Sequence, residues 1–169
     1  MLQGERSLKT FSIIISSMLV FNFVPAFAVS GRDYHFNDSS SNALVQQAWA
    51  SLSAQDLDAV KAYVGEADRI YAAKAKAMQM SLRAYPSGSK AHISQYWALN
   101  DVGTAWFILG EAYRDAGKKE LAAQAYRKVI KEYSFAQCWD AKGWFWNPTE
   151  IAQQKLTGLD LDWGFSGES

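Results

Sequence analysis

Residues 105–126 read AWFILGEAYRDAGKKELAAQAY, and the fold turns on how this stretch is phased. Trp106, Leu109, Gly110 and Tyr113 recur at the three- and four-residue steps that share one helix face. Ala122, Tyr126 and Val129 keep the same rhythm further on. Between the two runs stand only Asp115, Ala116, Gly117 and Lys118, and Gly117 suits the positive φ at which helices end. The spacing predicts helices over 101–115 and 119–133, joined by a tight corner. They approach closely where the small residues Gly110 and Ala122 sit.

Outward from this pair, the rest of the chain also reads as helix. Ser40 to Asn42 offer a cap for a short helix over 43–52. Ser53 with Asp56 has the spacing of a capping box. The run that follows, to Tyr85, predicts one long helix, or two joined near 65–72 around Gly65. Pro86 and Gly88 break the chain, and Asn100 is placed to cap the helix over 101–115. Asn147, Pro148 and Glu150 form a dense start signal for a last helix, which Gly158 is expected to stop. No alternating valine-rich segment suggests a strand, so the expected fold class is all-α.

Trp106, Leu109, Gly110, Tyr113, Gly117, Ala122 and Tyr126 follow the signature of a tetratricopeptide repeat (TPR), a two-helix unit of about 34 residues. Residues 103–136 resemble one such unit, with Val129 in place of a small residue and Ser134 in place of a proline. The resemblance implies a short stack of antiparallel helix pairs, an α-solenoid whose concave face binds peptides or other proteins. Residues 42–68 look like a degenerate unit, with Val60, Val64 and Ala67 at second-helix packing positions. Residues 69–99 do not fit the pattern. About three repeats are needed for a stable stack. Atypical capping helices, NPTEIAQQKL among them, or a second copy of the chain must therefore close it.

The N-terminal residues belong to a different class. Arg6 and Lys9 precede the charge-free run FSIIISSMLVFNFVPAFA at 11–28, which closes on an A-x-A-like site at Ala26 and Ala28. This reads as a secretory signal over 1–28, cleaved before Val29, with a retained anchor as the alternative. Periplasmic or secreted localisation follows, with no stable membrane insertion after cleavage. Residues 29–41 read as a flexible lead-in, 42–158 as the TPR-like helical domain and 159–169 as a C-terminal tail. The 169 residues carry 17 basic and 17 acidic side chains, so no basic surplus draws the chain to nucleic acid. A single cysteine, Cys138, excludes an internal disulfide and reads as a small buried hydrophobe or a loose thiol.

Two stretches are candidates for function. Phe107, Ile108, Glu111 and Arg114 lie off the main stripe of their helix, where they either form a partner-binding groove or meet the neighbouring pair. CWDAKGWFWNPTE, at 138–150, gathers Trp139, Asp140, Trp144 and Trp146. It reads as a plug sealing the helical stack or as a glycan platform of aromatic faces beside a carboxylate. Catalytic, cofactor and metal motifs are missing: His35 and His92 lack partners at ligand spacing, and neither Cys138 with His92 nor Asp140 with Glu150 is held together by spacing. The leading expectation is a non-enzymatic scaffold or adaptor of the cell envelope, with another protein as its partner. A glycan-binding or glycan-processing module and a self-associating homodimer are the alternatives.

Overall fold

The computed structural model describes Tyr34, Phe36 and residues 38–165, with 160–165 described by backbone alone. The expected signal at 1–28, most of the lead-in, His35 and the tail beyond 165 lie outside the described residues. Among those described, the chain is mostly helical.

Capping sets where the first helices begin. Ser40 accepts from the Ala43 N–H at 3.3 Å at the start of α1 (Ser41–Ser53). Asp56 accepts from the Ala59 N–H at 3.1 Å at the start of α2 (Leu57–Ser81). The expected capping box at Ser53 gives way to this arrangement. Ser53 ends α1, and its hydroxyl donates to the Trp49 carbonyl. Of the two forms expected around Gly65, a single continuous α2 is present. The end of the lead-in is tied down, because the Tyr71 hydroxyl donates to the Ser39 carbonyl at 2.8 Å and Phe36 packs edge-on against Tyr63.

After the break at Pro86 and Gly88, Ser89 caps α3 (Lys90–Ile93), which passes through a 3-10 turn at Ser94–Tyr96 into α4 (Trp97–Asp115). Asn100 is therefore inside α4 and not its cap. Its amide donates to the Ile93 carbonyl at 3.1 Å, and its oxygen accepts from the Gln137 N–H at 2.9 Å. Buried backbone groups need partners, and Asn100 satisfies two of them from segments far apart in the chain. Gly117 ends α4 as its sequence context predicts, at φ +71°, with Lys118 N–H on the Tyr113 carbonyl and Gly117 N–H on the Arg114 carbonyl. α5 (Lys119–Glu132) follows.

A two-stranded antiparallel hairpin, β1 (Cys138–Trp139) and β2 (Phe145–Trp146), corrects the expectation of a strandless chain. Asp140 makes the turn: its carboxylate accepts from the Lys142 N–H, its carbonyl from the Gly143 N–H, and Gly143 takes φ +107°. Pro148 opens α6 (Pro148–Phe165), and Glu150 reaches back to the Asn147 side-chain amide at 2.7 Å. α6 continues through Gly158, where a stop was expected. Gly158 has ordinary helical φ, and Leu159 beyond it is buried, so apolar packing outweighs the glycine's cost of about 1 kcal/mol.

α4 is the centre of the molecule. It packs against α1, α2, α5 and α6, and every residue from Val102 to Tyr113 is buried. The phased residues Trp106, Leu109, Gly110 and Tyr113 meet Ala122, Tyr126 and Val129 in one core. Gly110 permits the close approach: a Cβ there would lie 2.4 Å from the Tyr126 ring. Gly103 does the same lower down, where a Cβ would lie 2.5 Å from that of Ala136.

Candidate functional site

Three segments wall a cleft of about 460 Å³ on the hairpin side of the molecule. α1 contributes Asn42, Gln46 and Trp49, which share one face at helical spacing. α4 contributes Trp97, Asp101 and Thr104 by the same rule. The hairpin contributes Cys138, Trp139 and Phe145. Trp97 and Trp139 are among the few large apolar side chains left exposed among the described residues, at 42% and 38%. Tyr71 packs edge-to-face with Trp97, centroids 5.5 Å apart, and Phe145 with Trp139 at 4.9 Å.

Asp101 is the carboxylate of this cleft. Burial pushes its carboxyl above the ordinary value, and the hydrogen bond it accepts from the Ser41 hydroxyl partly offsets that. Burial also raises the Cys138 thiol, which sits beside Thr104 and Asp101. Burial thus favours the neutral thiol over the thiolate at this position.

The raised Asp101 has a stability consequence. The folded chain holds this proton more tightly than the unfolded chain, so stability is complete below the ordinary value of 3.8 and falls as pH rises through the raised one. Asparagine keeps an acceptor for Ser41 and cannot ionise. Asp101→Asn is therefore expected to melt higher than wild type at neutral pH, with the gap closing in acid. Circular dichroism melts across the pH range check this; a variant no more stable at neutral pH would sink it.

The residues singled out from sequence are dispersed. Phe107 and Ile108 are buried, 5% and 0% exposed, so of the two readings, groove or contact with neighbouring elements, these side chains take the second. Phe107 lies under Trp146 at 5.2 Å and beside Trp49 at 6.4 Å. Glu111 faces inward too: it accepts from the Tyr126 hydroxyl and pairs with Arg114 at 2.9 Å and Lys155 at 3.3 Å. Arg114 also binds Asp115. Within the Trp-rich segment, Trp139 lines the cleft, Asp140 holds the turn, Trp144 is exposed and Trp146 packs down on α1 and α4. The segment is thus divided: Trp146 seals the helices, and Trp139 faces a cavity.

His92 rests on Tyr96 and does not pair with Cys138. Glu150 is held by Asn147, apart from Asp140. Among the described residues no group of three or more His, Cys, Asp or Glu side chains converges as a metal site, and no helix is long and apolar enough to cross a membrane. Asn42, Gln46, Trp49, Trp97 and Asp101 were missed in the sequence. Their only signal was helical spacing that sets aromatic and polar residues on one face, at 42, 46 and 49 and again at 97, 101 and 104. Compared with known proteins, the chain has no match among family models, curated proteins or solved structures.

Proposed function

We propose that this protein is a non-enzymatic binding module of the cell envelope, built on a TPR-like stack, and that it holds a saccharide in the cleft between α1, α4 and the hairpin. The observation that carries the reading is the make-up of the cleft. Trp97 and Trp139 are partly exposed aromatic side chains, Asn42 and Gln46 are exposed amides, and Asp101 supplies a recessed carboxylate. Sugar rings stack their C–H faces on aromatics and spend their hydroxyls on amides and carboxylates. A volume of about 460 Å³ is in the range of small-ligand sites, roughly 300–1,000 Å³.

The TPR-like part of the reading is supported by the succession of α1 with α2 and α4 with α5, followed by α6 against α5. In such a stack α1, α4 and α6 line the concave face. The hairpin lies against that face through Trp146 on Phe107 and Trp49. An extended peptide would meet the chain's own hairpin there, which favours a smaller ligand in the remaining cleft over the protein-scaffold reading. Export to the envelope is supported by the charge-free run at 11–28 and the small residues at 26 and 28.

The test is retention of the chain from Val29 on cell-wall glycan and on a panel of soluble polysaccharides. Trp97→Ala and Trp139→Ala are each expected to weaken binding about tenfold, or ~1.4 kcal/mol, with the helical spectrum unchanged. Absence of retention on every glycan, with one dominant protein recovered from envelope extract, would replace this reading with the scaffold.

A further inference from the structure

Trp139 carries a cation on its ring. Lys90 Nζ, from the exposed start of α3, lies 3.7 Å from the ring centroid. Some basic side chains are matched to carboxylates, as Lys61 with Asp58, Arg69 with Glu66 and Lys76 with Glu132, whereas Arg83 donates to backbone carbonyls and Lys142 rests beside Trp144. Lys90 makes no such pair among the described residues. Asp101 and Asp140 are engaged by other donors: Asp101 accepts from the Ser41 hydroxyl and Asp140 from the Lys142 N–H inside its turn.

Resting on the saccharide reading above, we propose that the ligand of this cleft is an acidic saccharide, with Lys90 receiving its carboxylate while a sugar ring lies on Trp139. A lysine ammonium is a compact point charge on a flexible stem with three donors, so it follows a carboxylate without fixed geometry. An exposed cation–π contact is worth only about 0.5–1 kcal/mol, a shallow resting place that a carboxylate can draw it from. The exposed amides of Asn42 and Gln46 do not discriminate by charge. Asp101 does, by repulsion: it disfavours an acidic group beside it and leaves the carboxylate to Lys90 at the Trp139 ring. Attraction by Lys90 and repulsion by Asp101 together set the charge class of the ligand and which of its groups lies at Trp139.

The test compares oligogalacturonate, oligoglucuronate and peptide-free cell-wall glycan, each against its carboxyl-reduced form, by titration calorimetry on the chain from Val29. At least one acidic probe is expected to bind roughly three- to fivefold tighter than its reduced form, the size of an exposed charge pair. High salt should shrink that advantage. Lys90→Gln should abolish it and leave the affinity for the reduced form in place. Lys142→Gln, beside Trp144 at 5.9 Å and outside the cleft, should leave the advantage intact. Equal binding of acidic and reduced forms, still sensitive to Trp139→Ala, would overturn the inference and leave the saccharide reading standing. Equal weakening of both forms by Lys90→Gln would also overturn it, assigning Lys90 only the support of the Trp139 ring. Binding of neither form of any probe would remove the saccharide reading and this inference together.

Discussion

Replacing Tyr126 with alanine is expected to remove about 3–5 kcal/mol of stability, the usual cost of deleting a buried aromatic ring. That is a large share of a typical total of ~5–15 kcal/mol. Tyr126 is wholly buried, and its ring fills the space that Gly110 leaves open on α4 and packs near Phe107 at 6.1 Å. Its hydroxyl donates to Glu111, which also pairs with Lys155 of α6, so one side chain joins α4, α5 and α6. Burial, and then the bond to Glu111, hold the phenol's ionisation far above its ordinary range, so it stays a neutral donor at every working pH. Tyr126→Phe isolates the polar part and should cost ~1.5–3 kcal/mol, the worth of a bond to a charged group. Gly110→Ala approaches the same contact from the other side. Its added Cβ needs the Tyr126 ring to move, and overpacking of ~1–3 kcal/mol works against a helix-propensity gain of about 1 kcal/mol. Urea titrations give all three values. A loss under about 1 kcal/mol for Tyr126→Ala would mean that the α4–α5 contact is not the centre of the fold.

Trp146→Ala is expected to cost about 3 kcal/mol, the low end for a tryptophan because the ring is only half-buried. Trp144→Ala should stay within about 0.5 kcal/mol of wild type, since its side chain is 51% exposed. The two residues are near neighbours in sequence, yet only Trp146 meets both Trp49 and Phe107. The contrast measures how far the hairpin seals the helices. Equal costs at the two positions, or a larger one at Trp144, would show that the hairpin is held by something other than Trp146.

Much of the helical framework was legible. The phase of Trp106, Leu109, Gly110 and Tyr113, the turn at Gly117 and the start signal at Asn147 and Pro148 all correspond to what forms. Two of the errors share a cause. Asn100 looked like a cap, but a buried backbone N–H at Gln137 claimed its oxygen. Gly158 looked like a stop, but Leu159 found a core to enter. The hairpin at 138–146 was not expected, because its strands are only two residues each, short of the longer alternating segments that mark a strand. At Asn100 and Gly158 a partner distant in sequence outweighed a local preference.

The sequence by itself determined the mostly helical character, the α4–α5 corner and the residues that pack there. Capping, positive φ and helical period are interactions among chain neighbours, so they can be read without coordinates. Only the tertiary structure decided the candidate site. Asn42, Trp97, Asp101 and Trp139 come from three elements and share no motif; packing of α1 and the hairpin on α4 makes them walls of one cleft. The same packing buried Phe107, which helical phase alone left free to face a partner. Exposure is set by what covers a surface, and here the cover is a hairpin encoded some thirty to forty residues further along the chain.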